Sequence, residues 1–290
     1  MQEKWQLNNI DQKLIDLALE EDLGSPFLDV TTKTIFPGQS HAQQVEIISK
    51  SNDEIVICGL MLIPAIFKRF NAPIELKPTL RDGNILLPGE KLLTLSSDAS
   101  VILMTERTLL NFLRHLSAIA TLTKKFVDMI AKFNTKILDT RKTTPGQRHL
   151  EKYAVHCGGG VNHRMGLYDA FMVKDTHIDL AGGMKNALQK IPNKAQKLLP
   201  VIVEVRPLEE LKTVVNLGRD KVTRVLLDNM TLDELRQSVS LCKNIFETES
   251  SGNINLETIV NIAKTGVDYA SVGMLTYAAG QVDLSMKGIK

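Results

Sequence analysis

The sequence predicts a two-part α/β protein, a barrel of parallel strands joined by helices and preceded by a smaller α/β sandwich. Three observations predict it: an N-terminal stretch of short β segments punctuated by turns, a long one-faced helix after it, and then β-branched runs alternating with helical periods. A length of 290 residues suits one large domain with a smaller companion. The boundaries expected are 1–114 for the sandwich, rejoined by 276–290, and 115–275 for the barrel.

Taken in order, Leu14, Ile15, Leu17, Ala18 and Leu19 suggest a helix over Leu14–Leu23, stopped at Gly24 with Pro26 beyond. Strands follow at Val45-Glu-Ile-Ile, Ile55-Val-Ile-Cys, Ile85-Leu-Leu and Lys91-Leu-Leu-Thr-Leu, with turns at Asp82-Gly83 and Pro88-Gly89. Thr105 can cap the long helix, with Glu106 against its dipole and Leu109, Leu113, Leu116, Ala120 and Thr123 on one face. The barrel strands are then expected at Lys136-Ile-Leu-Asp, Ala170-Phe-Met-Val, Val201-Ile-Val-Glu, Arg224-Val-Leu-Leu-Asp, Asn244-Ile-Phe-Glu and Tyr269-Ala-Ser-Val. Helical spacing recurs over Leu208–Leu217, Leu232–Cys242 and Leu256–Ala263. Parallel strands joined this way close into a barrel, although an open doubly wound sheet has the same pattern.

Composition removes several function classes. A formal net charge of +2 advertises neither nucleic acid nor an anionic membrane as a partner. Cys58, Cys157 and Cys242 are odd in number and lack a CxxC, so disulfides and zinc knuckles are not expected and a reducing cytoplasm is. The N-terminus lacks the pattern of a signal peptide, and no apolar run approaches a membrane span. Neither Gly158-Gly-Gly nor Gly182-Gly183 makes a dinucleotide fingerprint, and no P-loop or HExxH occurs.

The strand ends of a barrel line its active face. Here they carry Arg141 and Lys142, then Lys174, then Glu204 and Asp228, then Glu249-Ser250-Ser251-Gly252 and Gly273. His163 and Arg164 lie between the first two barrel strands. Arginines pair bidentately with carboxylates, so this many cations suit a small polyanion. Each is also an ordinary solvated charge if its strand is misplaced, and His163 alone reads equally as a structural histidine. Ser250, Gly252 and Gly273 offer backbone N–H groups to a phosphate; either glycine alone is equally a tight turn. Glu204 and Asp228 suit Mg2+, ribose hydroxyls or a cationic sugar, or a buried ion pair. Cys157 reads as packing.

Glu21-Asp-Leu-Gly, Asp29-Val-Thr-Thr, Glu106-Arg-Thr, His115-Leu-Ser-Ala-Ile-Ala-Thr, Asp139-Thr-Arg-Lys-Thr-Thr-Pro-Gly, Lys152-Tyr-Ala-Val, Gly158-Gly-Gly-Val-Asn-His-Arg and Lys174-Asp span nearly the whole chain. Together they resemble quinolinate phosphoribosyltransferase, also called nicotinate-nucleotide pyrophosphorylase (carboxylating). The resemblance implies a type II phosphoribosyltransferase-like barrel and the reaction of quinolinate with 5-phosphoribosyl 1-diphosphate and Mg2+, giving nicotinate mononucleotide, diphosphate and carbon dioxide. It implies that Arg141, His163, Arg164 and Lys174 grip quinolinate. Lys142, Glu204 and Asp228 would meet the phosphoribosyl diphosphate and its metal, directly or through water. Ser250, Gly252 and Gly273 would hold the 5-phosphate. It further implies a homodimer whose Arg107 reaches the partner's site. Two residues depart from the family pattern: Arg206, where an acid is more usual, and Asn253, where glycine is. Rival readings are a phosphoribosyltransferase for nicotinate without decarboxylation, an aldolase using Lys174 as a Schiff base, and a non-catalytic metabolite sensor.

Overall fold

A computed structural model describes residues 5–36, 41–193 and 199–289. The chain divides into two compact units: Met1–Lys124 with Thr143–Gly159 and Ala278–Lys290, and Lys125–Lys142 with Gly160–Tyr277.

In the first unit, α1 (Asn9–Leu23) starts before the predicted Leu14. Asn8 forms a capping box: its side chain accepts from the Ile10 and Asp11 amides at 2.8 and 3.0 Å, and its own amide donates to Asp11 Oδ2 at 2.8 Å. Ile15, Leu19 and Leu23 recur at four-residue intervals on its buried face. The short helix α2 (Val30–Ile35) is capped by Asp29. The sheet of this unit is antiparallel, in the order β12 (Leu284–Gly288), β1 (Ala42–Ser49), β5 (Lys91–Asp98), β3 (Glu75–Pro78). Val45 sits between Leu95 and Gly288, so the C-terminal strand completes a sheet begun at Ala42. Alternation puts Val45 and Ile47 of β1 and Leu93 and Leu95 of β5 in the core. A two-stranded ribbon of β2 (Ile55–Val56) and β4 (Ile85–Leu86) and the helix α3 (Leu62–Lys68) complete this part.

The long helix α4 runs Ala99–Met129 and begins before the predicted cap. Asp98 accepts from the Ser100 amide at 2.8 Å and starts it, whereas Thr105 is buried within it and donates to Val101 O at 2.7 Å. Ser117 and Thr121 share a face and accept from the Cys58 and Val56 amides at 3.0 and 2.9 Å. Two hydroxyls thus satisfy β-ribbon donors that would otherwise be buried and unpaired. Helix α5 (Arg148–Cys157) was not anticipated. It ends at Gly158, where a Cβ would lie 2.4 Å from Ala120 O, so only glycine admits this approach to α4.

The second unit is built on six parallel strands: β6 (Lys136–Leu138), β7 (Phe171–Val173), β8 (Val201–Val205), β9 (Arg224–Asp228), β10 (Glu247–Ser251) and β11 (Tyr269–Ser271). Their order, β6-β11-β10-β9-β8-β7, is the chain order of a ring in which β11 turns back to pair with β6. That is an α/β barrel whose seam lies between β6 and β7, where Val161 bridges Leu138. Helices α6 (Asp175–Leu180), α7 (Met184–Lys190), α8 (Leu208–Leu217), α9 (Leu232–Cys242), α10 (Ile259–Ala263) and α11 (Met274–Tyr277) alternate with the strands after β7. The strand expected from Asn244 begins at Glu247, because Asn244 is left-handed (φ 62°) in the turn that follows α9. Ala170, Ile202 and Leu226 pack together inside the ring with the partly buried Met172, and Ile202 and Leu226 each contribute about 2 kcal/mol.

Candidate active site

A cavity of about 680 Å3 opens at the strand ends of the barrel. Strand periodicity decides what reaches it. From β8, β9 and β10 come Glu204, Leu226 with Asp228, and Glu249 with Ser251, whereas Val203, Leu227 and Ser250 take the alternate face. Ser250, expected on the phosphate side, is 3% exposed and does not line the cavity, whereas Ser251 does. Gly252 and Gly273 line the cavity, and so do Arg141, Lys142, His163, Arg164, Lys174, Glu204 and Asp228. Arg107 belongs to the other unit, exposed on α4 in a separate hollow of about 500 Å3 with Glu21, Asp22 and His115.

Lys142 is held by its backbone. Its amide donates to Thr140 Oγ1 at 3.0 Å and its carbonyl accepts from Thr276 Oγ1 at 2.6 Å. A Cβ on Gly273 would sit 3.2 Å from Lys142 Cδ, so the bare glycine lets the lysine stem cross the end of β11. Asp139, fully buried, accepts from the His163 amide at 2.8 Å and from Asn162 Nδ2 at 2.6 Å, tying the segment before Arg164 to the end of β6.

Among the described residues neither Arg141 nor Arg164 forms a salt bridge, although the charge of Asp169 acts on Arg164. Arg141 Nε is buried with no hydrogen-bond partner among the described residues. Burial, and then the charge of Arg141, hold the Arg164 guanidinium below its ordinary pKa. The Arg164 guanidinium donates to the Ala170 carbonyl at 3.1 Å, while Asp169, whose charge also acts on it, is engaged by the Met165 and Gly166 amides. Two guanidiniums lining one partly buried cavity suit an anion with two negative charges. His163 is oriented from below: Nδ1 accepts from the Arg164 amide at 2.6 Å, and Nε2 lies 3.4 Å from Glu249 Oε1. Glu249 is fully buried, and burial raises its pKa. His163, Ser271 and Arg224 outweigh that and hold it below the usual carboxylate range. Arg224 reaches it at 3.1 Å while lying 3.8 Å over the Tyr269 ring.

Across the cavity the sign reverses. Burial, then Asp228 and Asp175, raise the Glu204 carboxyl above its ordinary value. Asn229 (φ 54°) donates to Asp228 Oδ2 at 3.0 Å and accepts from Asn253 Nδ2 at 3.2 Å. Gly252 has φ 97°, and a Cβ there would lie 2.1 Å from Asn229 Oδ1. Asn229 thus links the carboxylate end to the Ser251–Asn253 loop. Sequence reasoning passed over Asp139, Asn229 and Glu249 in assigning roles; the readable signal was Asp228-Asn229 directly after a strand.

The model of the quinolinate phosphoribosyl transferase C-terminal domain matches residues 119–287, and that of the N-terminal domain matches 29–117. The chain belongs to the quinolinate phosphoribosyltransferase family. It is 38% identical over 289 residues to the chloroplastic nicotinate-nucleotide pyrophosphorylase [carboxylating] of Arabidopsis thaliana, covering 94% of this chain and 81% of that one. It is also 38% identical over 275 residues to the probable nicotinate-nucleotide pyrophosphorylase [carboxylating] of Bacillus subtilis, covering 95% and 92%. The solved nicotinate-nucleotide pyrophosphorylase of Francisella tularensis superposes with a TM-score of 0.88 at 36% identity, covering 98% of each chain. The family's two domain models meet between residues 117 and 119, within α4. Among the described residues no helix is long and apolar enough to cross a membrane.

Proposed function

We propose that this quinolinate phosphoribosyltransferase family member joins quinolinate to 5-phosphoribosyl 1-diphosphate and releases carbon dioxide, giving nicotinate mononucleotide and diphosphate in NAD biosynthesis. One observation carries the reading: Arg141 and Arg164 line one cavity and form no salt bridge among the described residues, Arg141 with a buried Nε that has no hydrogen-bond partner and Arg164 with a pKa lowered by burial and by the charge of Arg141. Cations so arranged suit the two adjacent carboxylates of a pyridine diacid, with Lys174 and His163 beside them.

In this reading Arg141, Arg164 and Lys174 clamp the diacid so that its ring nitrogen faces the sugar. The nitrogen lone pair forms the bond to C1 of the ribose as the C1–O bond breaks and its electron pair leaves with diphosphate. Glu204 and Asp228 face the positive charge that develops on the sugar, and Lys142 meets the departing anion. Ser251, Gly252 and Gly273 hold the 5-phosphate. The quaternised nitrogen then accepts charge from the neighbouring carbon. The bond to the 2-carboxylate breaks, carbon dioxide leaves, and the ring carbon takes a proton.

Glu204 and Asp228 also fit Mg2+: they are hard oxygen donors at adjacent strand ends, and burial and then the charge of Asp228 raise the Glu204 carboxyl above its ordinary value. Mg2+ held there together with the substrate diphosphate would neutralise the leaving group. Among the described residues no three acidic, histidine or cysteine side chains converge as a metal site, so Glu204 and Asp228 would hold the ion together with the substrate diphosphate. The active assembly is a homodimer in which the partner subunit's Arg107 enters the site. Mixing Arg107→Ala with Lys142→Ala subunits, each inactive alone, restores activity only if sites are shared. The three cysteines are free, and the reducing cytoplasm is the compartment that suits them.

The decisive assay supplies purified protein with phosphoribosyl diphosphate, Mg2+ and quinolinate labelled in its 2-carboxylate. Nicotinate mononucleotide and labelled carbon dioxide are expected in equal amounts. Turnover of nicotinate in place of quinolinate, with no carbon dioxide from the diacid, would defeat the assignment.

A further inference from the structure

Three carboxylates at the mouth of the barrel meet one guanidinium. Arg206, just past the end of β8, brings Nη2 to 2.7 Å from Asp175 Oδ2 and 3.9 Å from Glu204 Oε1, while its Nε lies 3.5 Å from Asp228 Oδ2. The other cation acting on Glu204 is Lys174. Arg206 is anchored at its backbone, whose amide donates to Glu210 Oε2 at 3.1 Å, but its side chain is 57% exposed. A long, solvated side chain on a fixed backbone can leave its partners at little cost. The carboxylates it bridges include the pair, Glu204 and Asp228, assigned above to the metal-bound diphosphate.

A guanidinium and a divalent ion cannot both neutralise these oxygens without repelling each other. We propose that Arg206 is a positioning residue that serves as the resident cation of the substrate-free site, holding Asp175, Glu204 and Asp228 together and competing with divalent metal for them. It thereby sets how much metal is needed before the phosphoribosyl end is ready. The inference rests on the assignment of Glu204 and Asp228 to the metal, and its test is separable from that of the overall reaction.

The probe is Mn2+ alone, added to the full chain without substrates and followed by electron paramagnetic resonance as the free ion disappears. Arg206→Ala and Arg206→Gln should each bind Mn2+ about tenfold more tightly than the natural protein at low ionic strength, with the gap narrowing as salt is added. Arg206→Lys, which keeps the charge, should return most of the way to the natural affinity. Because the side chain is exposed, circular dichroism of all three variants should match the natural protein. Equal affinity in Arg206→Ala and the natural protein, or no binding by either, overturns the proposal. If the natural protein turns over quinolinate while the Mn2+ affinities coincide, only the role of Arg206 falls. If Arg206→Ala binds Mn2+ more tightly while quinolinate is not turned over, the competition stands and the reaction assignment falls.

Discussion

Replacing Arg141 by alanine separates function from stability in a way that few core-facing substitutions do. Arg141 Nε is buried with no partner, and its charge disfavours that of Arg164. An orphaned buried donor costs about 1–3 kcal/mol. Arg141→Ala removes that cost along with the repulsion, so the folded protein should hold its stability or gain about 1 kcal/mol, or ~2–4 °C in Tm for a chain of this size. Catalysis moves the other way. A bidentate charged contact and the orientation it imposes are worth about 2–4 kcal/mol, so kcat/KM for quinolinate should fall by ~30- to ~1000-fold, with KM rising and kcat falling. The KM for phosphoribosyl diphosphate should change little, since Arg141 stands on the cationic side of the cavity. Thermal unfolding and steady-state kinetics with each substrate varied in turn provide the check. Unchanged kcat/KM, or a Tm that collapses together with activity, would refute the view that Arg141 is kept strained for the sake of the diacid.

The buried carboxylate beneath His163 and the left-handed glycine of the loop proposed to hold the 5-phosphate offer further tests. Glu249→Gln keeps the shape but removes the charge shared with His163 and Arg224, and should cost about 3 kcal/mol at pH 7, since Arg224 keeps Glu247 as a partner at 3.0 Å. The Glu249 carboxyl is held below its ordinary value of 4.5, so its contribution is fully present above that pH and is lost as pH falls through the lower folded value. Urea unfolding should therefore show the deficit of the variant closing in acid, and a deficit independent of pH would sink the electrostatic account. For Gly252→Ala, the positive φ and the 2.1 Å approach to Asn229 Oδ1 predict about 1–3 kcal/mol of strain. It should appear as a raised KM for phosphoribosyl diphosphate with quinolinate binding nearly intact by calorimetry, and unaltered kinetics would count against a phosphate role for the loop.

What was legible in the sequence was what local periodicity encodes. Helices α8 and α9 and strand β9 fall where spacing alone put them, because each has one apolar face or a continuous β-branched run. Helix α5 was harder to see: its apolar stripe, Leu150, Ala154 and Val155, is short, and Glu151 and Lys152 are buried beside it. Strand β12 needs β1 to exist, and a partner that distant leaves no local trace. At the site, the cations and carboxylates were readable because they follow strands. The phase within β10 was not, since a shift of one residue exchanges Ser250 for Ser251 between the two faces. Supporting roles such as that of Asp139 toward His163 depend on which buried polar atoms meet in three dimensions.

The return of β11 to β6 means that the first and last strands of the ring are neighbours, and Lys142 lies against Gly273 only because they are. During synthesis, a ribosome that has delivered β6 through β10 has delivered a ring without its closing strand, with unpaired backbone on both sides of the gap. The antiparallel sheet waits even longer, since β1 must hold an open edge until β12 emerges. Both halves of the molecule therefore finish folding late, on strands that end at Ser271 and Gly288. Nascent chains stalled short of Tyr269 should be the ones that chaperones hold, and a modest C-terminal truncation should cost more than its length suggests.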